Sequence, residues 1–165
     1  LYGLSILFGL TGTTNFFAMQ EAISSLGPEA NLALVLSTVF ILVGFGYKIS
    51  AVPFHFWTPD VYEGSPTAIT AYLSVAPKAA GFALILRFFN QIFSEMPNGL
   101  SDPWISVNNL PWPQLIAILS AATMTLGNLV AIQQSSVKRM LAYSSIAHAG
   151  YMTVSYTHLT LPTKG

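Results

Sequence analysis

The chain has no cysteine, which removes disulfides, thiolate metal sites, iron–sulfur ligation and a cysteine nucleophile together. Charge is scarce as well. Only 7% of the 165 residues are Asp, Glu, Lys or Arg, against roughly 25% in an average soluble domain, and none lies between Pro103 and Val137. A soluble surface cannot be built from so few. Neither sign dominates, because six basic and six acidic residues give a net charge of zero. That excludes a basic nucleic-acid surface and a polybasic lipid-surface module. The opening apolar run, Leu1–Leu10, has no basic n-region and no small-residue cleavage site, so it reads as part of a spanning helix rather than as a signal peptide. Both ends are expected to be cuts within a longer chain.

What is abundant is apolar. Hydrophobic residues make up 53% of the chain, with a mean hydropathy of +0.59, a membrane composition. Crossing about 30 Å of hydrocarbon takes roughly 20 helical residues. Segments of that length fall at about 31–56, 67–93 and 113–133, with partial spans at about 1–11 and 136–152. No period-2 alternation runs through them, and backbone groups in lipid must be satisfied internally, so helices are expected. The fold class is an all-α polytopic transmembrane helical bundle with discontinuous helices.

The loops carry a sidedness signal. Gly12–Ala30 holds Glu21 and Glu29, and Ser94–Trp112 holds Glu95 and Asp102, with no basic residue in either; the turn before the last span holds Lys138 and Arg139. The positive-inside rule makes that turn cytoplasmic. Alternation then puts the 12–30 and 94–112 loops outside and the 57–66 loop inside. Trp104 and Trp112 are read as interfacial anchors.

Charges within spans are costly, about 2.5–3.5 kcal/mol each at mid-membrane on insertion scales. Lys48, Lys78 and Arg87 are such charges. From a helix start at Thr67, Lys78 lies about 16 Å along the axis at 1.5 Å per residue, too deep for its stem to reach water. Lys48 and Arg87 lie nearer an end, within snorkelling reach. Pro53 follows Lys48 by five residues and Pro77 directly precedes Lys78. Each is expected to break helical bonding and leave a carbonyl free at membrane depth, a construction found where helices line water or ion sites. Lys48 and Lys78 are therefore the candidate proton-transfer residues, since a desolvated lysine changes protonation readily when its partner moves. His55 and His148 are weaker relay candidates: histidine titrates near neutrality, yet hydrogen-bonded packing is the commoner use of a polar side chain in such helices. Tyr47, Ser50, Tyr72 and Ser74 are further polar groups along the same path. No metal site and no cofactor site is read in the chain.

The run Gly44-Phe45-Gly46-Tyr47-Lys48-Ile49-Ser50-Ala51-Val52-Pro53-Phe54-His55-Phe56-Trp57-Thr58-Pro59-Asp60-Val61-Tyr62 resembles the N-subunit family of the bacterial proton-pumping NADH:quinone oxidoreductase, respiratory complex I. Val75-Ala76-Pro77-Lys78, Gly127-Asn128-Leu129 and Val137-Lys138-Arg139 through Gly150-Tyr151 extend the resemblance over nearly all of residues 1–152. The resemblance implies a central piece of an antiporter-like subunit of about fourteen helices in inverted repeats. Lys48 then matches the family's lysine on a broken helix, and Lys78 the connecting lysine of the next helix. The family's pairing glutamate and exit-side residue fall beyond the ends of this chain, and neither Glu21 nor Glu29 takes that role. Implied partners are the other membrane subunits and the lipid bilayer of a bacterial inner membrane. NADH, flavin, iron–sulfur clusters and quinone belong to the whole complex, with none bound by this chain. A multisubunit cation/proton antiporter without redox coupling is the alternative, and a spacer with inert lysines the bland third reading.

The stretch from Val154 to Thr163 departs from this pattern. It resembles the transposon-end adapter of sequencing libraries translated in one frame, so 1–153 is expected to be the partial antiporter-like domain and 154–165 a non-native tail. No function is read from His158 or Lys164.

Overall fold

The computed structural model describes residues 1–95, 105–106 and 110–160; Asp102, Trp104, Pro162, Thr163 and Lys164 lie outside the described residues. The described chain is a helical bundle built of α1 (Tyr2–Thr11), α2 (Phe16–Ser24), α3 (Asn31–Ile49, entered through a 3-10 turn at Pro28–Ala30), α4 (Trp57–Gly64), α5 (Thr67–Ile92), α6 (Trp112–Ile132) and α7 (Val137–Thr160). Ser94–Glu95 pairs antiparallel with Ile105–Ser106. Three helices are long and apolar enough to cross a membrane, Pro28–Ile49, Thr67–Ile92 and Trp112–Ile132. These match the three full spans expected, with one difference.

The first span ends at Ile49, seven residues short of Phe56. The stop is local: Ser50 adopts the left-handed conformation (φ 63°, ψ 37°), and Ala51 N–H donates to Gly46 O while Ser50 N–H donates to Tyr47 O. That pair of bonds is a Schellman closure, which usually requires glycine at the left-handed position. Pro53 therefore stands outside the helix rather than breaking it from within. Pro77, by contrast, is inside α5, where it has no N–H to offer the Leu73 carbonyl. The segment expected as the inside loop 57–66 forms α4 instead. α2 also occupies part of the expected outside loop 12–30, capped by Asn15, whose side chain accepts from Phe17 and Ala18 N–H.

Close helix contacts are made by small residues and hydroxyls, as packing in lipid favours. A Cβ on Gly127 would stand 2.8 Å from Ala147 N, and one on Gly150 2.8 Å from Met124 N, so α6 and α7 touch backbone to backbone. Ser120 Oγ donates to Gly150 O at 2.6 Å across the same seam. Ser37 Oγ donates to Gly3 O at 2.8 Å between α3 and α1. Phe45, Phe88, Phe89, Phe93 and Trp112 cluster edge-to-face or tilted at one end of the bundle. Trp112 is only 1% exposed and its Nε1–H donates to Phe93 O. It is a core residue, not the interfacial anchor the sequence suggested, because the aromatic cluster covers it. α7 continues as helix past Met152 to Thr160, beyond the point where the apolar pattern stops.

Two polar faces result. Gln20 Nε2 donates to Ser94 O, which brings α2 and the residues just after α5 to one face. On the other, Arg139 Nη1 reaches Asp60 Oδ1 at 2.7 Å and Glu63 Oε2 at 3.0 Å, and Lys138 Nζ donates to the carbonyls of Glu63 and Ser65.

Candidate proton-transfer site

The depth of the α3 break follows from what it touches. Val52 N–H donates to Thr123 Oγ1 at 3.0 Å, in the middle of α6. Ile49 Cγ2 lies 2.7 Å, and Lys48 Cγ 3.7 Å, from where a Cβ on Gly81 would stand, in the middle of α5. The end of α3 is thus level with the centres of both neighbours. Only a glycine at position 81 lets it come so close. From this level α4 carries the chain to the Lys138 face.

Lys78 is one turn before Gly81 on α5, so the structure brings the two candidate lysines to one level of the bundle. Their surroundings differ. Lys78 is 4% exposed; its Nζ donates to Ser145 Oγ at 2.5 Å and to Ser145 O at 3.1 Å, and sits 5.8 Å from the centre of the Tyr62 ring. Tyr62 is buried, and its hydroxyl has no hydrogen-bond partner among the described residues. Every partner of this amine among the described residues is neutral. Two hydroxyl and carbonyl oxygens and an aromatic face stabilise a cation in place of water, without the opposite charge that would lock the proton on. Lys48 instead is exposed on the outer side of the chain and has no acidic partner among the described residues. Arg87 is likewise exposed.

The histidines are separated. His55, 7% exposed, lies in the turn after the break, stacked on Phe56 at 4.6 Å with Tyr143 edge-on at 6.3 Å. Its Nδ1 is buried and unpaired among the described residues. His148 is on α7, one turn past Ser145, beside Tyr151. With Tyr62, Thr70, Ser74, Lys138 and Ser145 it lines a cleft of about 340 Å³ between α4, α5 and α7. Of the other polar groups, Ser50 is fully buried and accepts from Thr58 Oγ1 at 2.6 Å, Ser74 bonds back to Ala71 O, and Tyr47 and Tyr72 are exposed.

Sequence reasoning missed three residues here. Ser145, Tyr62 and Thr123 are common residue types in helices, and only the need of a deep lysine for an acceptor hints that one exists. No group of three or more His, Asp or Glu positioned to hold a metal occurs among the described residues. At the polar face, the Arg139 guanidinium hydrogen-bonded to Glu63 holds that carboxyl below its ordinary value.

Known proteins resemble this chain in sequence and in fold. The family described as "NADH:quinone oxidoreductase/Mrp antiporter, TM" matches residues 1–161. NADH-quinone oxidoreductase subunit N 2 of Sorangium cellulosum (strain So ce56) is 50% identical over 160 residues, covering 95% of this chain and 30% of the relative. A chain of respiratory complex I from Thermus thermophilus with bound aureothin superposes with a TM-score of 0.69 at 38% identity, over 93% of this chain and 29% of that one. A chain of the Mrp complex from Dietzia sp. DQ12-45-1b gives 0.69 at 24% identity, over 94% and 26% respectively, a likeness of fold alone. This chain spans about 30% of the length of the curated relative from Sorangium.

Proposed function

The chain belongs to the NADH:quinone oxidoreductase/Mrp antiporter transmembrane family, and from that premise we propose that it is a central piece of subunit N of a bacterial proton-translocating NADH:quinone oxidoreductase. In this reading it carries protons across the inner membrane through Lys78 and Lys48, while other subunits hold the flavin, iron–sulfur clusters and quinone site and perform the redox chemistry. The observation that carries it is the Lys78 amine, buried about 16 Å along α5 from Thr67, whose partners among the described residues, two Ser145 oxygens and the Tyr62 ring, are all neutral. An inert structural cation at that depth would be expected to have a counter-ion. The identity of 50% to a subunit N against 24% to an Mrp chain favours redox-coupled pumping over cation/proton antiport.

The physical scale is adequate. Moving one proton against 100 mV takes about 2.3 kcal/mol, and a change of one or two units in a lysine's proton affinity supplies about 1.4 kcal/mol per unit. Lys48 sits at the same level as Lys78 and is exposed. His55 and His148 are proposed as relays on either side, and the Lys138–Arg139 face is cytoplasmic by the positive-inside rule. Residues 154–165 are proposed to be non-native.

The test uses a full-length subunit N carrying this sequence, assembled in its complex and measured in inverted membrane vesicles. NADH-driven acidification of the lumen that falls on Lys78→Ala substitution supports the proposal. Proton exchange that instead requires sodium and ignores NADH assigns the chain to the antiporter branch.

A further inference from the structure

Building on the proton-carrying reading of Lys78, we propose that Ser145 is the relay through which Lys78 exchanges its proton with water in the cleft on the Lys138 side. The amine itself is shut away at 4% exposure, so a proton leaving it must pass through a group that touches both the amine and the cleft. Ser145 does both: its Oγ is 2.5 Å from Nζ and the residue lines the cleft. The Ser145 carbonyl, 3.1 Å from Nζ, only accepts; it holds the amine in place and passes nothing on. A hydroxyl donates and accepts at once.

The cleft has room for the water that completes the step. Its volume of about 340 Å³ far exceeds the roughly 10–15 Å³ that one water needs, and its wall offers the several polar partners a water requires. Thr70, Ser74, Tyr62 and His148, which line it together with Ser145 and Lys138, supply them. In the step, an N–H bond of the ammonium breaks as its proton forms an O–H bond on Ser145 Oγ. The serine's original O–H bond breaks at the same time, and that proton bonds to a cleft water. Lys78 is left as a neutral amine, the serine hydroxyl is restored, and the hydronium carries the charge away. No electrons change hands, and the reverse sequence reloads the lysine.

The experiment compares Ser145→Thr, Ser145→Val, Ser145→Ala and Lys78→Ala in the full-length subunit of the assembled complex, reading protons pumped per NADH oxidised in inverted vesicles. Threonine and valine share a shape and differ in the hydroxyl. The expected result is a loss of at least tenfold in Ser145→Val and Ser145→Ala, matching Lys78→Ala, with Ser145→Thr within about twofold of the parent. Equal pumping by the valine and threonine variants, whether both normal or both impaired, while Lys78→Ala fails, overturns the relay and leaves the role of Lys78 standing. Normal pumping by Lys78→Ala overturns the proposed function itself, whatever the serine variants do.

Discussion

Gly127→Ala should loosen the seam that holds α7, and with it Ser145, against the rest of the bundle. The added Cβ would meet Ala147 N at 2.8 Å and Ala147 Cα at 3.0 Å, and these are backbone atoms that no rotamer change can move. Restoring an ordinary contact of 3.4 Å requires α6 and α7 to part by about 0.6 Å. Overpacking of this kind costs about 1–3 kcal/mol, while replacing glycine by alanine within a helix returns up to about 1 kcal/mol. Because the obstructing atoms are backbone, the overpacking falls in the upper part of its range, and the net expectation is a loss of about 1–2 kcal/mol. Alanine at position 150 meets the same obstacle, with Met124 N at 2.8 Å and Ser120 O at 3.1 Å. The assay is the thermal unfolding midpoint of the detergent-solubilised full-length subunit, followed by tryptophan fluorescence. A midpoint equal to or above the parent's for Gly127→Ala would show that the two helices do not pack at backbone contact, and the placement of Ser145 would lose its support.

Thr123→Val removes the acceptor for Val52 N–H and strands a buried donor at the break, which costs about 1–3 kcal/mol; Thr123→Ser should restore the parent midpoint in the same unfolding assay. Glu63 gives a pH test. Its carboxyl is held below the ordinary value by Arg139, so the contact contributes stability above the unfolded-state value and loses it as pH falls through the lowered folded-state value. The midpoint should therefore drop between pH 6 and pH 3 by more in the parent than in Glu63→Gln, and identical drops would remove the tie between α4 and the start of α7.

Much of this fold is legible in the sequence because lipid imposes one rule on every span. Length and hydropathy place α5 and α6 to within a residue or so of their ends. The end of α3 is harder, since the apolar run continues to Phe56 while the helix stops at Ile49. Proline at 53 suggested a break but put its cause in the wrong residue: a serine in the left-handed region closes the helix three residues earlier. α2 and α4 were hidden in segments too polar to read as spans. Asn15, two residues before the first N–H it caps, was the available signal for α2. Trp112 was misread because tryptophan near a span end is usually interfacial, and only the five-ring cluster around Phe89 reveals its burial.

The candidate site divides in the same way. A lysine eleven residues into an apolar helix stands out by its cost alone, and both Lys48 and Lys78 were read as candidates on that ground. The hydrogen-bond partner of Lys78 was not read, because Ser145 lies 67 residues away and a serine in an apolar helix carries no signal until the helices are assembled. His55 and His148 were read as an equivalent pair, yet the structure puts one in a closed aromatic pocket at the break and the other at the wall of an open cleft. Their environments, not their chemistry, separate them.

The central claim is that Lys78 takes up and releases a proton rather than merely holding a charge, and replacing it with arginine tests this most directly. Arginine keeps the charge, but it does not deprotonate at accessible pH. Protons pumped per NADH oxidised should fall in Lys78→Arg to the level of Lys78→Ala, with the complex assembled in both. Full pumping by the arginine variant would contradict the account.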